Sequence, residues 1–261
     1  MIEQANHESE LGTAVEASEQ KEAARALNAA LKARTPEQKN EDLAKRVQRK
    51  NQSRLRQPPQ SRPVMLHTLA LKTKESQQVY SVNFGVVAQS FVELSLKYPA
   101  YQAFKSEANK EALIGILSHF CDQYDDLLAA MNEAKARLEK VLIDNGMADS
   151  QRVTYTTPLV IDERVNTPHL FRVIRVLSAL DDLVSLIDTA WMYGLLDDRA
   201  ASMGKREHTG AVIRLGNRIH NFARMLGNKA RGKEPVSMDT FESLLQGSGL
   251  MPTEIEEDAE A

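Results

Sequence analysis

Residues 168–193 set the strongest constraint on this chain, because they form a helical stretch that is apolar on nearly every side. Leu170, Phe171, Val173, Ile174, Val176, Leu177, Leu180, Leu183, Val184, Leu186, Ile187 and Trp191 leave almost no polar stripe. Such a helix lies in the middle of a core or in an oligomer interface, so other elements must surround it. Asn166-Thr167-Pro168 opens it, with Thr167 as the expected cap and Pro168 at the first position. Gly194 closes it. Asp181 and Asp182 sit within this apolar run, where a carboxylate is costly unless paired. Arg172, Arg175 or a base from a neighbouring helix is the expected structural partner.

The elements available to surround that helix are mostly helical too. Aromatic residues are few, with seven Phe, six Tyr and one Trp, which argues against a sheet-rich core. Apolar periodicity predicts helices over 75–96, 101–145 and about 207–226, with Asp197 or Asp198 capping the segment that leads into the last. Two strands are expected. Residues 64–74 alternate Met65, His67, Leu69, Leu71 against Leu66, Thr68, Ala70, Lys72, Lys74. Residues 152–165 are rich in Val, Thr and Ile, but Pro158 within them predicts an edge or bulged strand. The expected fold class is mainly α with one or two short strands.

Residues 1–62 read as a disordered or weakly helical basic appendage. Large apolar residues there are too few to offset ordering entropy. Helices are expected at 16–33 and from Pro36 to about Asn51, before the proline cluster Pro58, Pro59, Pro63. The expected division is this appendage, a helical domain over 63–233, and an acidic tail over 234–261. A single cysteine, Cys121, excludes an internal disulfide. With no signal-like N-terminus and no run of roughly 18 apolar residues, a cytoplasmic location without membrane partners is expected.

Charge is segregated. The whole chain is −3. Residues 44–62 hold Lys45, Arg46, Arg49, Lys50, Arg54, Arg56 and Arg62 with no acid, and residues 205–233 hold eight cations against Glu207. Each stretch is therefore +7, and the remainder carries −17. Helical geometry puts Val212, Leu215, Ile219, Phe222 and Leu226 on one side and Arg214, Asn217, Arg218, Asn221 and Arg224 on the other. Arg offers a fixed fork of donors and Asn both donates and accepts, which suits phosphates and base edges. A plain solvated face is the alternative, but such faces normally mix signs. Neither stretch offers an exposed ring for stacking, so double-stranded DNA is favoured over single strands. The arm 44–62 either follows phosphates or is a charged linker.

Enzymatic signatures are missing. Gly204-Lys205 and Gly232-Lys233 are followed by Arg206 and Glu234, so neither completes a phosphate loop. Cys121 and His119, two apart on a helix, face different ways. His119, Asp122 and Asp126 share a side, but the spacing is not that of a typical metal site. An enzyme using Asp181, Asp182 and His119 or His208 lacks a visible nucleophile–base pair. No catalytic residue, metal or cofactor is expected.

The residues also carry a resemblance. Leu66-His67-Thr68, the run Pro158-Leu159-Val160-Ile161 to Val165, Pro168, Leu177 to Val184 with Asp181-Asp182, Thr189 to Asp197 with Trp191 and Gly194, and Arg214-Leu215 resemble the AcaB-type family. Its members are encoded on conjugative plasmids and integrating conjugative elements. The resemblance spans about residues 64–227. It implies a ribbon-helix-helix-related core with added long helices and a sequence-specific regulator of conjugative transfer genes that binds promoter DNA as a homodimer. A helical scaffold or relaxosome accessory protein is the competing reading. In a ribbon reader, one strand from each protomer enters the major groove, which nominates Thr68, Lys72 and Lys74 from the first strand. The second strand offers Thr154, Thr156 and Arg164, and a third arrangement pairs the two strands within one chain. From the basic helix, Arg214, Arg218, Asn221 and Arg224 are the candidates.

Overall fold

The computed structural model describes residues 38, 41, 44–49, 63–147, 152–230 and 238–247. The chain forms two compact units, residues 1–43 and 44–261. In the first, Gln38 and Glu41 are described and are helical. Every other described residue belongs to the second unit. The helix expected over 16–33 and the acidic end 252–261 lie outside the described residues.

Strand β1 (Met65–Leu71) pairs antiparallel with β2 (Leu159–Val165). Met65 stands opposite Val165 and Leu71 opposite Leu159, without a bulge between. Alternation then sorts the side chains. Leu69, Leu71, Leu159, Ile161, Glu163 and Val165 face the core, whereas Leu66, Thr68, Ala70, Val160, Asp162 and Arg164 face out. Pro158 falls one residue before β2, so it removes no donor from the ladder and the strand is regular. Beside the sheet, a helical stretch at 44–49 buries Val47 in the core and donates Gln48 Nε2 to Asp162 O at 2.9 Å.

After β1 the chain turns into α1 (Lys74–Val79), whose cap Thr73 accepts from Ser76 N through its hydroxyl. The single helix expected from periodicity is interrupted twice. A π turn at Tyr80–Phe84 leads into α2 (Gly85–Val92), and a second at Glu93–Lys97 precedes a short 3-10 turn, Tyr98–Ala100. Each π turn inserts a residue and rotates the side chains C-terminal to it. As a result Asn83, in the first, and Tyr98, just past the second, both reach a neighbouring helix.

Helix α3 (Glu107–Asp144) starts at the cap Ser106 and ends at Asn145-Gly146. Gly146 takes a φ of 75°, and Met147 N closes back on Leu142 O at 2.8 Å. Helix α4 (His169–Met192) is the apolar one. Fifteen of its 24 residues are buried, and it packs against β1, α2, α3 and α5, which makes it the central rod. Thr167 does not cap α4 through its side chain. Its carbonyl accepts from Leu170 N, while the hydroxyl is buried without a hydrogen-bond partner. Helix α5 (Asp198–Ala230) begins at Asp197, whose carboxylate accepts from Ala200 N at 2.6 Å. It runs unbroken through Gly204, Gly210 and Gly216. Helix α6 (Met238–Gly247) tucks Phe241 beside Phe104, with ring centroids 6.0 Å apart. No described helix is long and apolar enough to cross a membrane.

Two glycines on α5 admit the polar groups of the π-interrupted rod. Asn83 points into α5 at Gly216, where its Cγ lies 2.7 Å from the position a Cβ would take, and donates to Ile213 O and Asn217 Oδ1. Tyr98 OH donates to Ala223 O at 2.7 Å and passes over Gly227, its Cζ 3.1 Å from a Cβ position there.

Glu163 is buried on the core side of β2 and accepts a hydrogen bond from Tyr80 OH, while Oε2 has no partner. Burial pushes its carboxyl above the ordinary range. The folded protein thus holds this proton to higher pH than the unfolded chain. Its contribution is present below the unfolded value of about 4.3 and is lost as pH rises through the raised folded value. Glu163→Gln should therefore gain stability relative to the parent as pH rises above the unfolded value, in urea titrations. Parallel curves above that value would refute the assignment.

Candidate nucleic-acid interface

Helix α5 divides as its periodicity requires. Val212, Leu215, Ile219, Phe222 and Leu226 are buried. Arg214, Asn217, Asn221 and Arg224 are exposed on the opposite side, and Arg218 is half-buried. The helix is amphipathic because its apolar stripe must seal against α2, α3 and α4, which leaves the arginines on the solvent side. Arg206, Arg214, Arg224 and Lys229 are exposed and have no ion pair among the described residues. Lys205 differs, being paired with Asp188. Glu207 lies two turns before Arg214 on the same face and is likewise exposed.

The side chains have defined lodgings. The Arg214 guanidinium folds back over Gly210, with Nη1 3.0 Å from a Cβ position there. Arg214 and Arg218 border a groove against α3 lined by Gln123, Asp126 and Leu127. Asp126 tempers that edge but lies beyond ion-pair distance. Lys74, the first residue of α1, is exposed and lines a cavity of about 670 Å³ together with Arg206 and Gly210. The structure therefore brings Lys74 beside the α5 cations, since Gly210 is shared by that cavity and the Arg214 side chain.

The other candidates are committed elsewhere. Thr68 Oγ1 donates to Asp162 Oδ1 across the sheet at 2.7 Å, a direct result of the register. Lys72 Nζ sits 3.5 Å from Asp182 and 3.9 Å from Asp181. Of the three strand arrangements left open by the sequence, pairing within one chain is the one observed, so β1 and β2 do not wait for a second protomer to form a ladder. Lys45, Arg46 and Arg49 are exposed on the stretch docked at the sheet, and Lys50, Arg54, Arg56 and Arg62 lie outside the described residues. The start of the arm is thus anchored at β2, whereas the α5 face borders α1 and α3.

No family model matches the chain, and no curated protein matches it in sequence. A crystal structure of selenomethionine-containing AcaB from uropathogenic E. coli does match in three dimensions. The TM-score is 0.54 at 22% identity, over 72% of this chain and 98% of that one. The fold is AcaB-like. Nearly the whole AcaB chain has a counterpart here, and this chain carries further residues besides.

The remaining chemistry-bearing groups are structural. Asp181 Oδ1 accepts from Lys72 N and Thr73 N at 2.8 Å and from Ser76 Oγ at 2.7 Å. Its hydrogen-bond partners are thus backbone amides and a serine, and its nearby base is Lys72 at 3.9 Å rather than Arg172 or Arg175. Arg172 pairs instead with Asp125 at 2.9 Å, and Asp182 is held by Lys72 and Lys135. Cys121 has a partner invisible from local spacing, since His169 Nδ1 lies 3.2 Å from its Sγ. Burial pushes the thiol up, with Arg172 opposing, and pulls the imidazole down, so the pair rests neutral rather than as a thiolate nucleophile. His119 Nε2 contacts Gln123, and no metal-holding cluster forms among the described residues.

Proposed function

We propose that this chain is a dimeric, non-enzymatic regulator of conjugative transfer genes that binds duplex DNA in the cytoplasm. One observation carries the reading: Arg206, Arg214, Arg224 and Lys229 line the exposed side of a single unbroken helix without ion pairs among the described residues. Unpaired cations on one rod suit a regular array of phosphates, and exposed Asn217 and Asn221 between them can reach base edges. Phe222 is the only Phe, Tyr or Trp in α5 and is buried, which favours a duplex over single strands. The AcaB-like fold and the sequence resemblance point the same way. On this reading residues 63–233 are the DNA-binding and dimerisation domain, with a basic appendage before them and an acidic tail after.

Gel-shift titration of a transfer-gene promoter fragment at two salt concentrations tests it. Affinity should fall steeply with salt. Arg214→Ala/Arg224→Ala should weaken binding and flatten the log–log salt slope by about two, one per lost phosphate contact. Unchanged binding would remove α5 from the interface. A second reading has its own support. Thr68 and Lys72, nominated to read bases, are engaged by Asp162 and Asp182. If promoter and scrambled duplexes bind equally, the chain is a scaffold or relaxosome accessory protein with nonspecific affinity.

A further inference from the structure

We propose that the cavity between α1, the end of α4 and the first half of α5 binds a small anion carrying a planar ring, of the nucleoside monophosphate class. This goes beyond the DNA-binding reading and does not depend on it. The space is about 670 Å³, within the range of small-molecule sites.

Its lining divides into an anion seat and a ring seat. Lys74, Lys205 and Arg206 face it with two acids, Glu75 and Asp198. Asp198 is turned toward the ring seat, where its Oδ1 accepts from Trp191 Nε1 at 2.7 Å, and both it and Glu75 keep their negative charge. Lys205 is engaged by Asp188, which also accepts from Tyr155 OH. Lys74 and Arg206 remain, exposed and without ion partners among the described residues. They are the groups able to close on a phosphate, Arg206 by a fork of donors and Lys74 as a point charge.

The ring seat is Trp191. Its N–H bond to Asp198 fixes the indole, yet 42% of the residue's surface stays open. An indole held by its edge and open on its surface is a stacking platform for a heterocycle. Thr209 lines the same wall, and its hydroxyl is buried with no hydrogen-bond partner. A paired base in a duplex cannot stack on such a platform, so the ligand presents an unpaired ring, and a free mononucleotide is the smallest molecule that joins one to a phosphate.

Trp191 is the only tryptophan in the chain, so emission excited selectively at tryptophan, beyond tyrosine absorption, reads this site alone. The full-length protein is titrated with each of AMP, GMP, CMP and UMP, with inorganic phosphate alone as the ring-less comparison. At least one nucleotide should change Trp191 emission saturably, and inorganic phosphate should bind more weakly. Lys74→Ala and Arg206→Ala should each raise the apparent dissociation constant about tenfold or more, the loss of one charge-assisted contact. Both side chains are exposed and have no ion pair among the described residues, so circular dichroism should confirm that both variants keep the parent fold. Absence of a saturable change with all four nucleotides, or unaltered affinity in both variants, would overturn the proposal. The titration contains no DNA, so a failed gel shift and a failed fluorescence titration are separate results.

Discussion

Replacing Asp181 by alanine should cost this protein about 3–5 kcal/mol of stability. The carboxylate is 2% exposed and receives the amides of Lys72 and Thr73 and the hydroxyl of Ser76 on one oxygen. Those donors sit where β1 ends and α1 begins. Removing the acceptor leaves two backbone N–H groups and a hydroxyl to be satisfied in a water-poor turn, and leaves Lys72 with Asp182 alone. Ser76→Ala deletes one donor and keeps the carboxylate paired, so it should cost only about 1 kcal/mol. Urea unfolding of the two variants separates these cases. A loss below about 1 kcal/mol for Asp181→Ala would show that the turn does not depend on the carboxylate.

The second large effect is a sign reversal between two chemically identical substitutions. Gly115 lies in α3 with nothing within 4 Å of its Cβ position, so Gly115→Ala should stabilise by roughly 0.5–1 kcal/mol through helix propensity. Gly216→Ala makes the same change in α5, but the new methyl would overlap the Asn83 carboxamide. Asn83 is 3% exposed, sits in a π turn and is tied to Ile213 O and Asn217, so it has nowhere to retreat. Overpacking should outweigh the propensity gain and leave a net loss of roughly 1–3 kcal/mol. Thermal melts should move in opposite directions, Gly115→Ala up and Gly216→Ala down. A raised Tm for both would mean that α2 and α5 do not meet as described.

The contrast between those two glycines also marks how far the sequence can be read. The apolar run of α4, the alternation in β1 and the two-sided character of α5 are local patterns, and each appears in the fold where the pattern puts it. Partnerships between distant segments left no such trace. The register that sets Thr68 opposite Asp162 depends on how two strands 94 residues apart align. Asp181 found backbone amides, which have no residue identity to search for. His169 lies 48 residues from Cys121 and meets it only because α3 and α4 run side by side. The π turns are hidden because each is a single local insertion that no residue type marks, in a segment whose apolar residues are too few to show a phase change. Pro158 lies just before β2, which is an unbulged edge strand of a two-stranded sheet, so of the two expected forms the edge is observed and the bulge is not.

The unbroken length of α5 imposes a length scale. Arg206 and Lys229 are 23 residues apart on an unbroken helix, a span of about 35 Å. That is close to one full repeat of B-form DNA, roughly 34 Å. A helix of that length can lie tangent to a duplex over only part of such a distance before the groove curls away beneath it. On the proposed duplex-binding reading, the cations at its two ends would serve different windings of the sugar–phosphate ribbon, with Arg214 and its asparagine neighbours left at the point of closest approach.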